Sequence, residues 1–67
     1  MVANWLAGRS APDYLQAAAE HYQQAGDMAQ AVRHYRLAAH RLRERGYARE
    51  ARAASELADR CAAAASG

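Results

Sequence analysis

The chain has 67 residues and a formal net charge of +2, which allows one domain and argues against a protein built mainly to hold a polyanion. More than half of it is hydrophobic, but 20 of those residues are alanine, and Phe and Ile are absent. Cys61 is the only cysteine, which excludes an internal disulfide, and no run of about 18 apolar residues offers a membrane span.

Residues 1–10 read as an apolar arm, with Val2, Ala3, Trp5, Leu6 and Ala7 forming one apolar turn closed by Gly8. Ser10-Ala11-Pro12-Asp13 then reads as a helix start, with Ser10 as cap, Asp13 reaching back and Pro12 in the first turn. The first helix is expected over about residues 11–25, with Leu15, Ala18, Ala19, Tyr22 and Ala25 on its apolar line. Gly26 suits the left-handed residue that ends a helix.

Asp27 is placed to cap a second helix, with Gln30 at the capping-box position. That helix is expected over about 28–45, with Met28, Ala31, Val32, Tyr35, Ala38, Ala39 and Leu42 on one face and Gly46 beyond its end. A third helix is expected over about 47–64, along Tyr47, Ala51, Ala54, Ala58, Cys61 and Ala65, flanked by Leu57. The remaining tail is alanine-rich and expected to fray. No period-2 alternation occurs, so the fold class is all-α. Linkers of one or two residues force neighbouring helices antiparallel. Gly26, Ala31, Leu37 and Ala38 recur 20 residues later as Gly46, Ala51, Leu57 and Ala58, so successive helices restate one packing pattern.

Large apolar side chains are few: five Leu, two Val, two Met, one Trp and four Tyr. A chain this short buries only about 60% of its unfolded surface, and burial yields about 25 cal/mol per Å². A core made mostly of alanine therefore implies a weakly stable monomer. Association with a copy or with another protein is the expected remedy. The lone cysteine and the lack of an apolar leader point to a reducing, soluble, cytoplasmic setting.

The series Leu15, Ala18-Ala19, Tyr22, Gly26-Asp27, Ala31, Tyr35 and Ala38 resembles a tetratricopeptide repeat, a helix–turn–helix of about 34 residues. Leu15 stands at the large residue opening the first helix, Ala18 and Ala19 at the paired leucine–small positions, and Tyr22 at the aromatic one. Gly26-Asp27 matches the turn, and Ala31, Tyr35 and Ala38 match the second helix. Ala18 replaces the usual leucine, and Arg43 stands where the repeat often ends in proline. The match covers residues 12–45, which makes the third helix a half-repeat or a capping helix. The turn followed by Gln30-Ala31 is also similar to the three-helix domain of microtubule-interacting-and-trafficking proteins, and small type III secretion chaperones share the hairpin design. These resemblances imply protein binding rather than catalysis.

Arg33, Arg36, Arg41, Arg43, Arg45, Arg49 and Arg52 crowd one stretch, against Glu44 and Glu50. The functional reading is a surface that steers an acidic peptide or a second subunit; the structural one is a solvated face complementing a helix C-terminus. Nucleic acid is not favoured, since no reading-helix motif accompanies the arginines. His21, His34 and His40 lack metal-ligand spacing, and Cys61 reads as a small buried hydrophobe. Tyr22 and Tyr35 are assigned to the hairpin interior and Tyr14 and Tyr47 to a contact surface. Leu37 and Leu57 lie off the main stripes and offer a second apolar face.

The sequence thus predicts a non-catalytic interaction module with no cofactor, no metal and no small-molecule substrate. It would capture a partner helix or peptide, acidic in character, or its own copy. The expected contact residues are Trp5, Leu6, Tyr14, Leu37 and Tyr47, with Arg36, Arg41, Arg43 and Arg49 setting charge preference. The alternative is a purely structural, self-assembling helical bundle, and a further one is a basic, nucleic-acid-associated helical protein.

Overall fold

The computed structural model describes residues 11–66. Among the described residues there are three helices: α1 (Pro12–Gln24), α2 (Met28–Glu44) and α3 (Ala48–Ser66). The expected all-α architecture is the observed one, with element limits within two residues of expectation. The expected arm, with Trp5, Leu6 and the capping Ser10, lies outside the described residues.

Ala11 occupies the N-cap of α1, in an extended conformation and with no side-chain cap bond, and Pro12 follows in the first turn. The helix thus starts at Pro12, one residue after the start expected from the sequence. Proline's fixed φ suits the first helical position, where its missing N–H is no loss.

Two turns of one design join the helices. Gly26 (φ +86°) and Gly46 (φ +85°) hold the left-handed conformation that an L side chain resists. Gly26 N–H donates to Gln23 O at 3.1 Å and Asp27 N–H to Tyr22 O at 2.8 Å. Twenty residues on, Gly46 N–H donates to Arg43 O at 3.1 Å and Tyr47 N–H to Leu42 O at 2.9 Å. Both are Schellman closures, which satisfy the last carbonyls of the helix before the chain reverses. Asp27 Oδ1 then accepts from Gln30 N–H at 3.3 Å, capping α2 as expected. The reciprocal half of the box does not form, because the Asp27 N–H is already committed to Tyr22 O.

The helix α2 packs against both neighbours, while α1 and α3 scarcely meet. The molecule measures 42 × 25 × 12 Å, a slab rather than a rod of triangular section. Its core has two parts, each drawn from all three helices. Leu15, Ala38, Ala39, Leu42, Ala51 and Ala54 form one. Ala19, Ala31, Tyr35, Ala58 and Cys61 form the other, with Tyr22, Met28, Val32 and Leu57 packed against it. Alanine at the contact brings helix axes close, and Tyr35 supplies the bulk that alanine lacks.

Three expectations about burial are corrected. Ala25 and Ala65 are exposed although they sit on apolar lines, because each lies at the end of its own helix. Leu57 is half-buried against the core rather than part of a free face. The tail does not leave the helix at residue 64: α3 runs to Ser66, whose hydroxyl donates to Ala62 O at 3.1 Å. Alanine is the strongest helix former, and four in a row prolong the element.

Candidate functional site

The outer helices α1 and α3 leave a gap between them that α2 floors. One hollow in this gap, of about 640 Å³, is lined by Glu20, Gln23 and Gln24 of α1, Met28 and Tyr35 of α2 and Leu57 of α3. A second, of about 330 Å³ near the other end of α2, is lined by Ala11, Pro12, Asp13, Leu42, Arg45, Tyr47 and Glu50. Together the two carry three carboxylates, Asp13, Glu20 and Glu50, against one guanidinium, Arg45.

Tyr35 sits at the floor with 2% of its surface exposed. Its hydroxyl donates to Gln23 Oε1 at 3.2 Å, which ties α2 to α1 beside the hollow. Burial pushes the phenol above its ordinary range, and the charges of Glu20 and Cys61 add to the rise. Tyr35 is thus a neutral hydrogen-bonding floor.

A third hollow is built by α2 alone, from Ala29, Val32, Arg33, Arg36 and Leu37. At 100° per residue Arg33 stands about 160° around the α2 axis from Tyr35, so this face points away from the gap. Leu37 is 42% exposed there. Among the described residues, the side-chain pairs with acids are Arg41 to Glu44 at 3.1 Å and His40 to Glu44 at 3.5 Å, so Arg41 and His40 share one acid. Neither Arg33 nor Arg36 reaches a carboxylate.

The predicted contact residues fall in different places. Leu37 and Arg36 come together on the outer face of α2. Tyr47, 53% exposed, borders the smaller gap hollow. Tyr14, 47% exposed, stands on α1 and lines none of the three hollows described. Arg41 and Arg43 belong to the last turn of α2, and Arg49 is exposed near the start of α3. Trp5 and Leu6 lie outside the described residues. The structure separates what the sequence joined: the Tyr35-floored groove has an acidic and amide rim, while Arg33 and Arg36 stand on the opposite face of α2. Sequence reading missed Gln23, Met28 and Leu57 as groove residues; only the off-stripe position of Leu57 hinted at a role.

His34 is half-buried, with Nδ1 2.8 Å from Gln30 O and its ring 5.0 Å from that of Tyr22. A carbonyl only accepts, so Nδ1 carries the proton and the imidazole serves as a helix-surface brace between α1 and α2. Among the described residues, no three His, Cys, Asp or Glu side chains gather where they could hold a metal ion, and no helix is long and apolar enough to cross a membrane. Cys61 is a free, buried thiol. No family model, curated protein or solved structure matches this chain.

Proposed function

We propose that this chain is a non-catalytic protein–protein interaction module, a tetratricopeptide-like hairpin with one added helix, that captures a helix or extended peptide in the gap between α1 and α3. The observation that carries this reading is the gap itself. Two helices that share a neighbour and scarcely meet leave an open groove floored by Tyr35, Met28 and Leu57 and bordered by Glu20, Gln23 and Gln24. Its 640 Å³ lies in the range of binding clefts, and an apolar floor with a few polar groups at the rim is their usual composition. A helix laid in such a groove would bury its apolar face on Met28 and Leu57 and present amides or cations to the rim.

The test is selection of binders from a randomised helical-peptide display library on the immobilised chain. Gln24→Trp, an exposed substitution beside the groove, serves as a plug. Enriched helices should compete with one another and lose binding to the plugged variant. No enrichment, or binders indifferent to the plug, would remove the groove from consideration.

A further inference from the structure

We infer that the occupant of the groove is a second copy of this chain: the cationic outer face of α2 from one copy enters the acidic gap between α1 and α3 of the next. The inference rests on the groove reading above and names its partner.

Charge is the first argument. The gap presents Asp13, Glu20 and Glu50 against Arg45 alone. The outer face of α2 presents Arg33 and Arg36, and neither is paired with an acid of its own chain among the described residues. Asp13 and Glu20 likewise take part in neither of the ion pairs found there. Two uncompensated surfaces of opposite sign on one small chain attract each other in solution.

Spacing is the second. Asp13 and Glu20 are seven residues apart on one face of α1, and Arg36 and Arg43 are seven apart on α2. At 1.5 Å per residue each pair spans about 10.5 Å, so both cations meet both acids when the helices lie side by side.

Shape is the third. Leu37 stands 42% exposed beside Arg36, and the gap offers half-buried Met28 and Leu57. The Leu37 side chain would add to a floor that the chain's own core leaves unfinished.

The donor and acceptor surfaces point away from each other around α2, so one pair of molecules cannot satisfy both at once. The contact is heterologous, and it propagates into a ring or an open array rather than closing as a two-fold dimer.

The experiment is light scattering across a concentration series on the full chain, on Leu37→Glu, on Glu20→Arg and on their mixture, with far-UV dichroism on each. Leu37→Glu sets an acid against the acidic gap and leaves the groove intact, whereas Glu20→Arg repels the incoming arginines and leaves the inserted face intact. The unaltered chain should exceed twice its 7.3 kDa mass as concentration rises. Each variant should associate at least about tenfold more weakly, since like-charge contacts at an interface are strongly penalised. The mixture retains one good junction and should stop at a 1:1 pair. Should either variant lose helicity, Arg36→Glu and Gln24→Arg replace them at exposed positions. The inference is overturned by an unaltered chain that stays monomeric, by variants that assemble like it, or by a mixture that does not pair. If the chain is monomeric and display-selected helices still bind in a plug-sensitive way, the groove reading survives and self-docking does not; if neither occurs, both fall.

Discussion

Asp27 and Tyr47 hold the same place in two successive turns. Each donates its N–H to the carbonyl five residues back, and each carbonyl accepts the first bond of the following helix, from Ala31 at 3.1 Å and from Ala51 at 2.9 Å. They differ in one respect: Asp27 also caps its helix through Oδ1, and a tyrosine ring has no oxygen within reach of that N–H.

Tyr47 is therefore a poor cap retained on an exposed site. Tyr47→Asn should stabilise α3 by roughly 1 kcal/mol and raise the thermal midpoint by about 4–8 °C. Partner or self-association should weaken at the same time, because the ring borders the gap. A midpoint that falls, measured by dichroism, would show that the contacts of the ring outweigh the missing cap.

Gly46 has φ +85° and nothing within 4 Å of where a Cβ would sit. Replacing it with alanine meets no clash, so only the left-handed backbone is penalised, at about 1 kcal/mol. Gly46→Asn should lose less than Gly46→Ala, since asparagine tolerates that region. Equal losses in urea unfolding would mean that something other than φ sets the choice.

Ala38 is fully buried between the helices. Ala38→Leu forces three extra carbons into a contact with no slack and should lower stability by about 1–3 kcal/mol. Ala17→Leu, on the exposed side of α1, should stay within about 0.5 kcal/mol of the unaltered chain. Comparable urea midpoints for the two would contradict close packing at Ala38.

Tyr35 ties stability to alkaline pH. Its folded-state ionisation is raised above the ordinary 10.0, by burial first and by Glu20 and Cys61 next. The folded form therefore favours the neutral phenol: its stabilising share is complete below about pH 10 and is lost as pH climbs through the raised value. Helicity should fall in that window as tyrosinate absorbance rises, and Tyr35→Phe should remove this step. A variant that loses helicity over the same pH range would place the cause elsewhere.

The turns and the cap of α2 were legible because they are local. A glycine that must turn left, an aspartate three residues before an N–H and a proline at a first turn each declare themselves within one helical turn. Burial was less legible. Leu37 and Leu57 stand six residues after equivalent alanines, Ala31 and Ala51, yet one is exposed and the other packs on the core. The buried set of α2 runs through Tyr35 and Ala39, whereas that of α3 runs through Ala54 and Cys61. The two stripes drift to opposite sides of the same starting alanine, and only the position of a third helix decides which way. The groove was hidden for the same reason. Gln23 and Leu57 carry no pattern of their own and become neighbours of Tyr35 through the stacking of α1 and α3 on α2.

The slight contact between α1 and α3 also governs how the chain reaches its fold. Tertiary interactions run almost wholly between helices adjacent in sequence, so no long loop must close before the first stabilising contact forms. Each hairpin can assemble around its own glycine turn, with α2 as the shared template. Such a topology belongs with the rapid helical folders, on a microsecond-to-millisecond timescale.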